Sequence, residues 1–259
     1  MLRILKEVHL IAAEDTRHSK KLLNHYAIDT PLISYHQHSR SKQVDKIIGS
    51  LEQGKDVALI SDAGTPGISD PGQELIARCV EQKITVDSLP GANAAITALA
   101  ASAFPLAAFT FKGFLPRKGM NQTVQAILET PHPVVIYESP YRIEETVKAL
   151  ALAMPQRDVF LAREISKMHQ QYIRGALSQV AQETPWEQVA KGEFVLILGP
   201  GEPRQKQALS EDDLEAKVAE LLAQGMSPRD VARKLSQDTG IARREIYTIA
   251  NYKKNQNGI

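Results

Sequence analysis

Residues 57–72 read VALISDAGTPGISDPG. Val57 to Ser61 predict a buried strand, and the Asp-, Gly-, Thr-, Ser- and Pro-rich run behind it predicts a loop that opens into a helix. The start of that helix is signalled by Asp70 at the cap, Pro71 in the first helical position and Gln73 three residues after the cap. Gly64, Gly67 and Gly72 in one loop call for backbone that turns sharply or lies against a bound group. Two carboxylates, Asp62 and Asp70, flank it. A loop of this kind at the carboxyl end of a strand is where open α/β sheets hold ligands. It is not a Walker loop, since no Gly-Lys-Ser/Thr follows, and it lacks the three spaced glycines of a dinucleotide fingerprint.

Working outward, strand patterns alternate with helix patterns on both sides. Upstream, Leu2, Leu5 and Val8 suit an amphipathic helix, and Val8–Ala13 (VHLIAA) a strand buried on both faces. A helix through Leu22, Leu23 and Tyr26 follows, then the short strand PLISYH from Pro31, then helix Lys42–Gln53 with Gly54 as its stop. Downstream, Ile84–Leu89 is expected to be a strand, followed by a helix of small and apolar residues, AAITALAASAF, that must pack closely. Alternation over this region predicts a mostly parallel sheet with helices on both faces. A second α/β region follows: strand Phe109–Phe114, helix Gln122–Glu129, strand Val134–Tyr137 and helix Tyr141–Met154 capped by Ser139 and Pro140. Asp158–Arg163 and Gln170–Arg174, joined by a short polar link, predict an antiparallel pair and so a mixed second sheet, with Phe194–Leu198 as its last strand. The expected domains are 1–108 and 109–200, both α/β, a linker 201–209 and a helical extension 210–259.

At 259 residues and 43% hydrophobic, the chain can bury sizeable cores. A net charge of +1 does not advertise a nucleic-acid or membrane-surface protein, so any such role rests on local patches. The single cysteine, Cys79, has no partner for an internal disulfide and suits a reducing cytoplasm; its apolar neighbours mark it as core. No run of about 18 apolar residues predicts a membrane span, and the first residues lack the layout of a secretion signal. From Met226 onward, seven Lys/Arg face three acids, a net of +4, across two short helices around a glycine-containing turn. That tail resembles a helix-turn-helix.

Each strand of the first region ends in a polar cluster, EDTR, YHQHS, SDAGTPGISD and PGAN, and YESPYR and REISK do likewise in the second. Parallel strands bring the first four to one sheet edge, facing the second region across a cleft. The histidines form no HExxH pair and no Cys/His spacing suits zinc, and His36 and His38 would point to opposite faces, so no metal site is expected. No GxSxG elbow is present. Glu14, Asp15, Asp62, Asp70 and Glu138 could hold Mg²⁺, which leaves a nucleotide enzyme as a competing reading.

Together EDTR, SDAGTPGISDPG, PGANAAITAL, KGFLPRKG, VIYESPYR and AREISK resemble, in order over residues 1 to about 200, the bacterial 16S rRNA 2′-O-ribose cytidine methyltransferases of the tetrapyrrole-methylase superfamily. The tail resembles that family's C-terminal extension. The resemblance implies two α/β domains with S-adenosylmethionine in the cleft between them, and a cytoplasmic homodimer. It implies cofactor contacts from Asp62, Ala63, Gly64 and Thr65, from Pro90, Gly91, Ala92 and Asn93, from Tyr137 and from backbone near Ala162. The implied substrate is a decoding-centre cytidine of the small ribosomal subunit, whose ribose 2′ oxygen displaces the sulfonium methyl in line. A 2′-OH is a poor nucleophile while protonated, and Asp15, Arg17 and Glu138 are the candidates for assisting it. Arg117, Lys118, Arg163 and Lys167, with Arg243 and Arg244 in the basic tail, are expected to hold RNA phosphates. A precorrin-type methyltransferase and a non-catalytic RNA-binding or assembly protein are the alternatives. The family opens with a strand and an ATPIGN-type loop, whereas this chain starts at the following helix, as a truncated form or from an alternative start. A first sheet short of a central strand, with unpaired neighbours and impaired cofactor binding, is the expectation.

Overall fold

The computed structural model describes residues 1–36, 41–201, 210–239 and 241–256, with backbone alone for 41, 211, 237, 238, 255 and 256. His38, most of the expected linker and Gly240 therefore lie outside the described residues. Two compact units are formed, Met1–Gly201 and Glu202–Ile259.

The first unit opens with α1 (Leu2–Glu7), β1 (Leu10–Ala13), α2 (Thr16–His25), β2 (Leu32–Ser34), α3 (Ser41–Glu52), β3 (Val57–Ile60) and α4 (Gln73–Glu81). β1 lies between β2 and β3 in a parallel sheet, with Ile11 opposite Leu32 and Ala58. Side chains alternate across a strand, so Ile11 joins Leu5, Leu23 and Ile28 under α1 and α2, while Ala12 joins Val44, Ile47, Leu75 and Cys79 under α3 and α4. Cys79 is buried, and burial pushes its thiol up from the ordinary value.

Ile84–Leu89 does not form the expected strand. Its β-prone sequence has no neighbour to pair with: β3 bonds only to β1 among the described strands, and a strand exists only through its ladder. Val86 and Leu89 are left more than 40% exposed.

The chain continues through α5 (Ala94–Ser102), β4 (Thr110–Phe114), α6 (Met120–Leu128), β5 (Val134–Glu138), α7 (Ile143–Ala153), β6 (Asp158–Arg163), β7 (Gln171–Ala176), α8 (Leu177–Glu183), α9 (Trp186–Val189) and β8 (Phe194–Leu198). The strands form a mixed sheet in the order β4-β5-β8-β6-β7, with β4 and β5 parallel and the other pairs antiparallel. Val134, Ile136, Leu161 and Leu196 face α6 to α9, and Val135, Phe160, Ala162 and Val195 face α5. The small residues of α5 thus serve the second sheet, where Ala95 and Ala98 let the helix sit close. Ser139 does not cap α7 through its side chain; its carbonyl accepts from the Ile143 N–H at 3.0 Å. Arg157 closes the far end of the sheet. Its buried guanidinium donates to the carbonyls of Ile127, Thr130, His132 and Gly199.

The second unit packs α10 (Glu211–Ala223), α11 (Pro228–Thr239) and α12 (Arg243–Gln256) around Leu214, Val218, Val231, Leu235, Ile246 and Ala250. Ser210 caps α10 by accepting from the Asp213 N–H, and Gly225, at φ +85°, ends it.

Candidate active site

The carboxyl ends of β1 and β3 are stitched together by their own polar residues. The Asp15 N–H donates to Asp62 Oδ1 at 3.3 Å and the Asp62 N–H to Glu14 Oε2 at 3.4 Å. Asp15 also caps α2, accepting from the Arg17 N–H at 2.8 Å while the Arg17 guanidinium closes on its two oxygens at 3.2 and 2.8 Å. That guanidinium holds the Asp15 carboxyl well below the usual carboxylate range.

The loop after β3 runs differently from the sequence expectation. Helix α4 begins at Gln73 with Gly72, at φ +152°, in the cap position. The Gly67 N–H donates back to the Pro71 carbonyl at 3.2 Å, so the loop closes on itself and Asp70 is not the cap. Instead the Asp70 carboxylate lies beside Gly64, 3.5 Å from where a side chain there would begin. Burial, and to a lesser degree the charges of Glu14 and Asp62, push Asp70 up, with a hydrogen bond from Ser61 working the other way. The cap signature missed this because Gly72 permits a backbone turn that Asp70 and Pro71 cannot supply.

The same loop reaches the second sheet. β4 carries a bulge at Lys112, since Phe111 pairs with Val135 but Gly113 with Ile136. Gly113 is left-handed at φ +61°, and a Cβ on it would come 2.9 Å from Ser69 Oγ. Ser69 is itself left-handed at φ +63°. Beside this junction Tyr137 on β5 stands edge-on to Phe111 at 5.2 Å and to Phe114 at 5.8 Å. Its phenolic oxygen accepts from the Ala95 N–H at 3.2 Å, at the start of α5. Burial, and more weakly the charge of Asp70, push the phenol up. Asn93 caps α5 by accepting from the Ile96 N–H at 3.2 Å, which anchors Pro90, Gly91 and Ala92 ahead of it as exposed backbone.

Thus Asp15, Arg17, Asp62, Ala63, Gly64 and Thr65 are together at one sheet edge, with Tyr137 facing the same loop across the two sheets and Asn93 beside it. Ala162 is fully buried, two strands from Tyr137 and level with it through Val195. Glu138 lies elsewhere than its neighbour Tyr137. Its side chain is buried, accepting from the Ser139 N–H at 2.9 Å and Thr146 Oγ1 at 2.8 Å, with Arg142 at 3.6 Å. Arg117 and Lys118 are exposed. Arg163 and Lys167 are engaged: Arg163 donates to the Lys191 carbonyl, and Lys167 pairs with Glu164 and Glu193 at 2.9 and 3.1 Å. Arg243 and Arg244 are exposed on α12 of the second unit. Among the described residues no group of His, Cys, Asp and Glu is arranged to hold a metal.

A sequence model of the tetrapyrrole (corrin/porphyrin) methylases matches residues 1–181. The chain belongs to this family. It is a methyltransferase, and its cofactor is S-adenosylmethionine. Among relatives, it is 41% identical to the ribosomal RNA small subunit methyltransferase I of Synechocystis, over 95% of this chain and 89% of that one. The protein of the same name from Halalkalibacterium halodurans is 40% identical over 96% of this chain and 87% of that one. In fold it is similar to a cobalt precorrin-4 methyltransferase, with a TM-score of 0.57 over 76% of this chain and 86% of that one, at 12% identity.

The residues present suit that cofactor. Glu14, Asp62 and Asp70 concentrate negative charge with no ion-pair partner among the described residues, a field that an ammonium or sulfonium group relieves. Ala63, Gly64, Gly91 and Ala92 offer backbone with almost no side chain in the way.

Proposed function

We propose that the protein methylates the ribose 2′-OH of a cytidine in 16S rRNA, at the decoding centre of the assembled small subunit. The observation that carries this reading is the 41% identity, over 95% of the chain, to a relative named for small-subunit ribosomal RNA methylation. Bound S-adenosylmethionine supplies the activated methyl group. Asp62 and Asp70 attract its positive charge, Ala63–Thr65 and Pro90–Asn93 line it with backbone, Tyr137 closes the cleft from the second sheet, and backbone near Ala162 lies behind that wall. The protein's contribution is alignment and exclusion of water.

At the transfer point Arg17 is the cation that favours the ionised 2′ oxygen, and Asp15 fixes its guanidinium. A carboxylate held so strongly ionised is a weak base, so the 2′-OH proton passes to solvent as the O–CH₃ bond forms and the S–CH₃ bond breaks, releasing S-adenosylhomocysteine, and Arg17 contributes charge stabilisation rather than Asp15 a base. Glu138 acts as a positioning residue for the start of α7. Arg117, Lys118, Arg243 and Arg244, all exposed, complete the reading as RNA contacts, and Arg163 and Lys167 join them only by exchanging the Lys191 carbonyl and the Glu164 and Glu193 carboxylates for phosphate. A cytoplasmic homodimer belongs to the same proposal, and light scattering tests the stoichiometry.

The test supplies labelled S-adenosylmethionine with undermethylated small subunits, free rRNA and a precorrin-type substrate. Label is expected in the ribose of 16S rRNA from subunits; label only in the tetrapyrrole, or none in RNA, refutes the reading. Arg17→Ala is expected to slow single-turnover transfer at least tenfold with cofactor affinity within about twofold of the parent.

A further inference from the structure

Helix α2, TRHSKKLLNH, carries Arg17, His18, Lys20, Lys21 and His25 and no acid. Apart from the Asp15–Arg17 fork, its cations are uncommitted: neither Lys20 nor Lys21 makes an ion pair with any described residue. At 100° per residue Thr16, Arg17, Lys20, Leu23 and Asn24 share one face. That face forms one wall of an open cavity of about 620 Å³, whose other wall is Ile28, Asp29 and Thr30, which lead into β2, and Leu32 and Ser34 on it. The floor is apolar and buried at Leu23 and Ile28, and the rim is hydroxyl, amide and ammonium, with Asp29 its one acid. The groove is also continuous with the methyl-transfer site. Its upper end is Thr16 and Arg17, directly after Asp15, whose N–H bonds Asp62.

We infer that this groove holds a single-stranded stretch of the RNA next to the target nucleotide, with Lys20, on the groove wall, and Lys21, exposed beside it on α2 but outside the lining, on its phosphates. The inference rests on RNA being the substrate. Phosphates match a cationic wall, Asn24 and the Thr and Ser hydroxyls match 2′-OH and phosphate oxygens, and the apolar floor accepts the face of an unstacked base. A second copy of the chain is the poorer occupant, because like-charged α2 faces repel.

The test compares the full chain with Lys20→Ala/Lys21→Ala and Lys20→Glu/Lys21→Glu in binding undermethylated small subunits across monovalent salt. Cofactor affinity is followed by calorimetry, and association by light scattering. Each lost single-strand phosphate contact flattens the plot of log K against log salt by about 0.7, so two contacts shrink the parent's advantage about sevenfold between 50 and 200 mM. Cofactor affinity is expected to stay within twofold. Parent and variants binding subunits alike, with equal slopes, overturns the groove and leaves the methylation reading standing. A parent that neither binds nor methylates subunits overturns both. Variants that change oligomeric state while keeping the parent's salt slope make the face a self-association surface, which also overturns the inference.

Discussion

Gly113→Ala probes the contact on which the cleft depends, where the loop of the first sheet meets the bulged strand of the second. Gly113 is left-handed, and an L-residue there costs about 1–2 kcal/mol. The new methyl would also lie 2.9 Å from Ser69 Oγ. A serine hydroxyl turns on one bond, so it swings aside at little further cost, but Ser69 is itself left-handed and sits between Asp62 and Asp70. The displacement therefore passes into the loop proposed to hold the cofactor. For a domain of this size about 1–2 kcal/mol lowers the melting temperature by about 2–8 °C. Calorimetric melting with and without S-adenosylmethionine, together with titration of the cofactor, reads both effects. The cofactor affinity is expected to fall with stability, and Ser69→Gly in the Gly113→Ala background is expected to recover affinity more than melting temperature, because the strain at residue 113 persists. A melting temperature within 1 °C of the parent and unchanged affinity would refute the junction as the support of the cofactor loop.

Asp70→Asn separates stability from function. The Asp70 pKa is raised in the fold, so the stability tied to its protonated form is complete below the ordinary carboxylate value of about 3.9 and is lost as pH rises through the higher folded value. Asn keeps the neutral form, so cofactor-free Asp70→Asn is expected to melt above the parent at pH 7, to converge with it at low pH, and to bind S-adenosylmethionine more weakly; melting curves across pH and calorimetry check this. Glu138→Gln leaves one of the donors Ser139 N–H and Thr146 Oγ1 without a full acceptor, at about 1–3 kcal/mol, with single-turnover transfer per folded molecule unchanged. Collapse of transfer without loss of melting temperature would instead place the carboxylate in the reaction.

Much of this protein is legible along the chain because it is local. Unbroken apolar runs mark β5, β6 and β8, and a period of 3.6 marks α3 and α7, within a residue or two, since strands buried on both faces and each helix face must bury their own apolar side chains. The glycine-rich loop behind β3 is legible for the same reason: its three glycines and two carboxylates are contiguous. The short helices α8 and α9 escaped, as their few apolar positions acquire a period only against the sheet they cover.

What tertiary structure alone decided is partnership. Ile84–Leu89 has a strand's sequence and pairs with no strand among the described residues, and strand identity is a property of pairs. Asp70 has the cap's spacing, yet the Gly67–Pro71 hydrogen bond and the left-handed Gly72 turn it toward Gly64 and Ser61. Arg163, Lys167 and Glu138 looked available from their neighbours in sequence, but Arg163 and Lys167 are engaged by groups 28 and 26 residues away at Lys191 and Glu193, and Glu138 by Arg142 and Thr146, four and eight residues on. Lys20 is placed the same way, in a groove whose second wall lies on another element. Residue type and spacing settle what each segment can do; which of its polar groups are left over for a ligand depends on what the fold has already bonded.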